Sequence, residues 1–373
     1  MRKPFCATIA ALFFCQTIFA SENKPFSIES TASQALGGYH TASDSGIFTL
    51  FSNPALLDSV EYNGIFGGGL GAVGTVAEDI ALFKALTGGG PFDEDLAAGY
   101  GKKNLGWTPP ELYLNGPLAA GYAAKGVGMA LFDRIDFDSS IFNGKWTMNI
   151  NTSLSGVMGR TFGLIDTYNH KLDAGGAVKL GLRWSMNMIS QHVEVNPDAK
   201  GGTGEGPGRA GKIGLAPGIN VGVLYTFRDI FSAGIQCDDI ITPSLLLYLE
   251  PEEGGEPLFE IAHQKLNLGI SVRPVRNGTV DWNIMLDFRD VLQAAGVFEG
   301  KARHPLLCLS AGMELTVRGV LTFRAGLRDL LPAAGIGYDF NSFTLEAAFY
   351  GREYGATPGI KSVYAFEIGF TIK

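Results

Sequence analysis

The chain has 373 residues, with 29 basic and 37 acidic side chains, 51 glycines, 11% aromatic residues and only 18% charged ones. A net charge of −8 offers nucleic acid no basic surface. Beyond the N-terminal region no run reaches the roughly 18 apolar residues of a membrane helix, so a helical membrane protein is excluded.

Met1-Arg2-Lys3 is a basic start, Cys6 to Phe19 is apolar and Ala20 is small, which reads as a secretory signal peptide over residues 1–20. Its removal takes Arg2 and Lys3 and leaves 27 basic and 37 acidic residues, a formal charge of −10. A lipid-bearing site at Leu12-Phe13-Phe14-Cys15 is disfavoured by bulky Phe14. Cys6 and Cys15 leave with the signal, and Cys237 and Cys308 do not make a disulfide framework.

From residue 62 onward the chain alternates. Tyr364, Phe366, Ile368, Phe370 and Ile372 interleave with Ala365, Glu367, Gly369 and Thr371, a strand with one oily and one small or polar face. Val280, Trp282, Ile284, Leu286 and Phe288 repeat the pattern, as do Val178 to Met186 and Trp146 to Leu154. About fourteen such segments follow, at 62–71, 117–124, 127–138, 145–158, 174–188, 217–227, 230–250, 258–272, 280–288, 305–317, 320–328, 333–340, 343–350 and 364–373. Segment 230–250 is overlong and expected to bend at Pro243. An even count closes an antiparallel barrel with both termini on one side.

The connections sort by parity. Lys125-Gly126, Arg228-Asp229, Arg318-Gly319 and Asn341-Ser342 have hairpin-turn chemistry, whereas 72–116, 189–216, 289–304 and 351–363 are long, as inner turns and outer loops of a membrane barrel would be. Two features fit poorly: the 159–173 connection is long for an inner turn, and Asp133 falls on an oily face unless a bulge intervenes. A β-sandwich would also alternate, but its outer faces should be charged, and these hold mainly Gly, Ser, Thr and Asn.

In the first long loop, Thr75-Val76-Ala77-Glu78 reads as a capping box that opens a helix through Ala81, Leu82, Phe83 and Leu86 and stops at Gly88-Gly89-Gly90-Pro91. That helix either packs over the barrel mouth or forms a wall of a ligand entrance. Residues 198–212 are glycine-rich surface sequence.

Chemical constellations are sparse. Gly69-x-Gly71-x-x-Gly74 imitates a dinucleotide fingerprint, but no βαβ alternation surrounds it. His40, His170, His192, His263 and His304 lack ligand spacing, so no metal, cofactor or catalytic residue is expected, and His263 reads as a lumen-facing histidine. Cys308 falls on a polar face and Cys237 on an oily one, which argues against a disulfide. Lys179, Arg183, Lys265, Asp281, Asp287, Glu314, Arg324, Glu346 and Glu367 are assigned to the lumen, either filling it as pairs or lining an ion path.

Ahead of the first strand stand Ala35-Leu36-Gly37-Gly38-Tyr39-His40-Thr41-Ala42 and then Ser52-Asn53-Pro54-Ala55-Leu56-Leu57. Asn-Pro makes a rigid elbow whose asparagine can cap freed backbone groups, in a plug or in an ordinary turn. These residues resemble the FadL-type outer-membrane long-chain fatty-acid transporters, and also a wider superfamily with PorV-like secretion components and uncharacterised spirochaete and Bacteroidetes barrels. The resemblance covers residues 34–57. It implies a fourteen-stranded barrel plugged by a small N-terminal hatch that carries Asn53, Pro54 and Ala55. The end, Phe370-Thr371-Ile372-Lys373, departs from the aromatic terminus usual in such barrels.

The expectation is therefore an all-β protein: a signal peptide over 1–20, a hatch over 21–58 and a transmembrane antiparallel β-barrel over 59–373 in the bacterial outer membrane. Its partners would be membrane lipid and a hydrophobic small molecule such as a long-chain fatty acid, taken up passively, with Ala81, Leu82, Phe83 and Leu86 at the entrance. A non-transporting scaffold that docks envelope proteins, and a general porin, are the alternatives.

Overall fold

A segment whose oily and small residues alternate offers two unlike faces, and a sheet of such segments stays in lipid only if it has no open edge. The computed structural model describes residues 20–21, 29–43, 45–60, 63–73, 111–115, 120–142, 145–192, 211–240, 243–248, 258–262, 264–296, 303–353 and 362–372. The expected helix over 75–86 with Ala81, Leu82, Phe83 and Leu86, the glycine-rich stretch 198–212 up to residue 210, His263 and residues 1–19 lie outside them.

Fourteen antiparallel strands close a barrel. In chain order they are β1 (Asn63–Val73), β2 (Glu111–Asn115 and Ala120–Ala124), β3 (Val127–Phe142), β4 (Lys145–Asp166), β5 (His170–His192), β6 (Gly211–Phe227) and β7 (Phe231–Asp238 and Pro243–Tyr248). Then come β8 (Leu258–Ala262 and Lys265–Arg276), β9 (Val280–Phe288), β10 (Leu309–Val317), β11 (Leu321–Arg328), β12 (Leu331–Asp339), β13 (Phe343–Glu353) and β14 (Ser362–Ile372). Each pairs with its sequence neighbours, and β14 returns to β1 from Ala365↔Val73 to Ile372↔Phe66, which removes the edge. Ala20–Ser21 adds a two-residue parallel pairing with Ile261 and Ala262.

The outer surface is an oily band. On β14 the outward Tyr364, Phe366, Ile368, Phe370 and Ile372 are each 44–47% exposed, while Val363, Ala365, Glu367 and Gly369 between them are buried. Leu268, Ile270, Ile284 and Leu286 on β8 and β9 continue it, as do Val178, Leu180, Leu182 and Trp184 on β5. So much contiguous apolar surface is stable against lipid tails and not against water. The closed cylinder sets the β-sandwich aside.

The tight turns follow from backbone sterics. Lys125-Gly126, Arg228-Asp229, Arg318-Gly319 and Asp329-Leu330 all hold positive φ at both central residues, the mirror-image turn whose twist matches its flanking strands. The first three, with Asn341, lie at one end of the barrel, the short-turn end. At that end the chain passes from residue 60 into β1.

Several expectations need correction. The 159–173 connection is not a long inner turn, because β4 and β5 run on to Asp166 and from His170 and leave only Thr167 to Asn169 between them. Segment 305–317 begins with a 3-10 turn at Pro305–Cys308. Segment 230–250 is interrupted after Asp238 and resumes at Pro243. No bulge in β3 accounts for Asp133, since its ladder with β4 continues unbroken through Phe132↔Ser155, Asp133↔Leu154 and Arg134↔Ser153. The irregularity belongs to β2: Asn115 faces Arg134 and Ala120 faces Leu131, so Phe132 and Asp133 span the change between its two segments and both are buried there. Cys237 is buried rather than lipid-exposed, and both it and Cys308 are free thiols.

Gly69 and Gly71 of the apparent dinucleotide fingerprint lie in antiparallel β1, opposite Asn115 and Tyr113. The Tyr113 ring occupies the space a side chain at position 71 would need.

Asp229 holds a left-handed conformation that costs a non-glycine residue roughly 1 kcal/mol. Asp229→Gly is expected to stabilise the barrel by about 1 kcal/mol, read as a higher urea midpoint in detergent.

Candidate functional site

The lumen is filled by residues 29–60. This stretch begins with a short helix, α1 (Thr31–Ala35), capped by Ser30, whose hydroxyl accepts from Ser33 N at 3.1 Å. Gly37 and Gly38, with φ of 82° and 108°, end it. Gly38 N donates to Ser33 O at 2.7 Å and Gly37 N to Gln34 O at 3.1 Å, a Schellman-type close. Two 3-10 turns, Gly46–Leu50 and Pro54–Ser59, complete the segment.

The elbow at Asn53 is satisfied from three directions. Its Oδ1 accepts from Ala55 N at 3.0 Å, and its Nδ2 donates to Thr41 O at 2.8 Å and Val223 O at 3.4 Å. Pro54 sits where a helix has no use for an N–H. Asn53, Pro54 and Ala55 are all buried against the wall, and Thr161 Oγ1 donates to Pro54 O at 2.6 Å.

The wall holds the rest of the segment through long-range polar contacts. Asp287 on β9 takes both the His40 Nδ1 and, through Oδ1, the Thr41 backbone N at 2.6 Å, while His40 Nε2 meets Leu36 O at 3.0 Å. On β14, Glu367 accepts from Thr31 Oγ1 at 2.7 Å and from Tyr113 OH at 2.5 Å, and Tyr113 also bonds Tyr350. Asn283 donates to Ser43 Oγ at 2.9 Å, and Ser310 donates to Gly37 O at 2.8 Å beside Arg289, which bonds the same carbonyl. At the other extreme Ile47, Leu50, Phe51, Leu57 and Val60 bury against Ala123, Ala130, Phe132, Val157 and Ala177.

Contact this close needs a wall with no side chains at the points of approach. A Cβ on Gly175 would collide with the Pro54–Ala55 peptide, one on Gly222 with Asn53 Oδ1, one on Gly234 with Thr41 O and one on Gly326 with the Leu36–Gly37 peptide. These glycines sit on the inward rows of β5, β6, β7 and β11, and sequence reasoning read them only as small lumen residues. Asp287 and Glu367 were placed in the lumen, but nothing in their local sequence tied them to Thr31, His40 and Thr41, some 250 to 340 positions away by contact separations of 247, 246 and 336.

The first end of the segment is held electrostatically. Arg328 Nη1 donates to both Glu29 oxygens at 2.9 and 2.7 Å, with Arg352 at 3.7 Å. Burial pushes the Glu29 carboxyl up, but Arg328, Arg352 and Arg289 outweigh it and hold it down to about 2. Burial and neighbouring Arg328 lower Arg289 to about 10, still charged at neutral pH. Among the other expected lumen charges, Lys179 pairs with Asp239 at 2.5 Å, and Arg324 is clasped by Glu314 at 2.7 Å and Glu346 at 3.0 Å. A cavity of about 310 Å³ remains between the segment and the wall beside Arg324, lined by Tyr39, Phe48 and Met285 and by the hydroxyls of Ser33 and Thr322.

Taken together, these features define a transmembrane β-barrel whose lumen is occupied by its own N-terminal segment. Among solved structures, the chain is similar to a TodX deltaS2S3 mutant, described as a monoaromatic hydrocarbon channel, at 13% identity over 93% of this chain and 99% of that one, with a TM-score of 0.50. It also aligns with the Pseudomonas putida toluene transporter TodX at 15% identity over 96% and 99% of the chains, TM-score 0.46. A Pseudomonas aeruginosa FadL homologue aligns at 12% over 92% and 98%, TM-score 0.43. At such identities the first of these likenesses shows a shared fold, in agreement with the FadL-type resemblance drawn from residues 34–57. No family model matches the sequence, and no curated protein does.

Two outcomes follow. Gly175→Val should force the Pro54–Ala55 peptide off the wall, so that residues 29–60 become cleavable by protease in detergent-solubilised protein while the heat-modifiable mobility of the barrel on gels persists. Because the Glu29 carboxyl is depressed, its stabilising contribution is complete above about pH 4.5 and is lost as pH falls toward 2. The full contribution is on the order of 3 kcal/mol. Protease protection of the segment should therefore hold from pH 7 to about 4.5 and fall below it, and Glu29→Gln should abolish that pH step.

Proposed function

We propose that this protein is an outer-membrane channel for passive uptake of a hydrophobic small molecule, with residues 29–60 acting as a hatch that shifts to let the molecule pass. The observation that carries the reading is the lumen itself: an oily exterior encloses a chain segment held to the wall by individual polar contacts. A general porin needs an open aqueous lumen, which a segment lying across it from Glu29 to Val60 opposes. The shared fold with a monoaromatic hydrocarbon channel supports a hydrophobic passenger. Long-chain fatty acids are the finer proposal, from the FadL-type resemblance.

In this reading Asn53, Pro54 and Ala55 form the elbow about which the hatch moves. Asn53 joins the hatch to itself through Thr41 and to the wall through Val223, so releasing the elbow releases both. Ala81, Leu82, Phe83 and Leu86 remain the proposed apolar entrance.

In planar bilayers, intact protein is expected to conduct little, and protein lacking residues 21–58 to conduct ions steadily. A deletion strain should take up labelled oleate or toluene more slowly, with rescue by the wild-type chain. Undiminished entry of both compounds in the deletion strain overturns the proposal, and slowed toluene entry with normal oleate entry overturns only the fatty-acid part.

A further inference from the structure

Strand β4 outruns its neighbour. β3 begins at Val127, which pairs with Arg160, and the last hydrogen bond on that side is Thr161 N to Gly126 O at 2.7 Å. β4 nevertheless continues to Asp166, held on its other side by β5 through Phe162↔Ala174 and Gly163↔Asp173 and, after a register shift at Leu164, through Ile165↔Leu172 and Asp166↔Lys171. From Phe162 to Asp166 the β3 side of this strand has no partner strand among the described residues.

The composition of this edge is unusual for one that meets water. Every residue from Phe162 to Tyr168 is exposed, with Phe162 at 55%, Leu164 at 59%, Ile165 at 49% and Tyr168 at 98%. Unpaired peptide groups are not stable within lipid hydrocarbon, so the tip stands beyond the bilayer at the short-turn end. There, an apolar strand whose donors and acceptors meet no partner strand among the described residues is a template for another strand, and edges left for solvent are ordinarily blunted with lysine, proline, charge or a bulge. No lysine or proline lies in residues 162–166, and the single charge, Asp166, stands at the far end of the edge. Where the edge meets the barrel, Lys125 and Arg160 are both exposed, the Arg160 guanidinium lies 5.2 Å over the Phe162 ring, and no acidic side chain among the described residues pairs with either cation.

We infer that the free edge of β4 from Phe162 to Asp166 receives an extended segment of a second, periplasmic protein by strand addition, with an acidic residue of that segment set against Lys125 and Arg160. The backbone edge selects an extended chain, Phe162, Leu164 and Ile165 select apolar side chains on it, and the two cations fix which end carries the acid. Five residues offer about 16 Å of edge, the length of a short strand. A lipid surface supplies headgroup charge but not the alternating donors and acceptors that the edge lacks.

The test uses the full-length chain in its own cells, with a photoreactive phenylalanine analogue at position 164 or 168 and, as a lipid-facing control, at 182. Illumination should yield one discrete protein adduct from 164 and 168 and none from 182, and the cross-linked peptide should be an apolar stretch with an Asp or Glu at one end. The double charge reversal Lys125→Glu with Arg160→Glu should lower that yield at least about tenfold while barrel mobility on gels is unchanged. Adducts to lipid alone, adducts to a second copy of this chain, no adduct at either position, or a yield indifferent to charge reversal would each overturn the inference.

Discussion

A polypeptide enclosed in a barrel lumen needs its buried peptide groups answered by the wall or by itself, and at Gly37, Thr41 and Pro54 the wall answers them at short range. The wall comes close because inward positions such as Gly175, Gly222, Gly234 and Gly326 carry no side chain, and the segment's carbonyls and amides then reach β-strand polar groups directly. Glycine abundance, which in a soluble β-protein would weaken strands, is here a condition of the fit. The conformational cost falls on strands that are already fixed by neighbours on both sides of a closed sheet.

The polar contacts divide the labour. Asp287 fixes a side chain and a backbone amide from consecutive residues, which locks the orientation of the chain at His40 and Thr41. Glu367, bonded to Thr31 and Tyr113, joins the segment to the seam region where β14, β1 and β2 meet. Glu29 is held by charge more than by shape, between two guanidinium groups. The larger apolar cluster gathers at the far end of the segment, around Leu50 and Leu57, where Asp58 also pairs with Lys171, while the first end combines the Glu29 ion pairs with packing of Ala35.

The barrel was legible because lipid and lumen impose opposite demands on alternate residues. Where that contrast is strongest the boundaries agree closely: β9 runs from Val280 to Phe288 as the alternation indicates, and the FadL-type strand number follows. Where every residue is exposed, as from Phe162 to Asp166, the contrast lapses. Thr161 to Asp166 therefore read as a connection, although β5 pairs them as strand. Asp133 misled because its burial is decided by β2, a strand about twenty residues earlier. The site was less legible than the fold. Glycine is silent in a hydropathy pattern, and His40, one of five scattered histidines, gains its partner only when the sheet has curved round to bring Asp287 beside it.

The bond between Thr31 and Glu367 joins residues 336 positions apart, across the strand that seals the cylinder. Glu367 also lies opposite Gly71 on the closing strand pair, so its backbone belongs to the seam while its carboxylate holds the segment. Contacts of such separation form late, after the loop-closure entropy of nearly the whole chain has been lost. The enclosed segment and the closing seam therefore share one side chain: a change at Glu367 reaches both Thr31 of the segment and Tyr113 of β2.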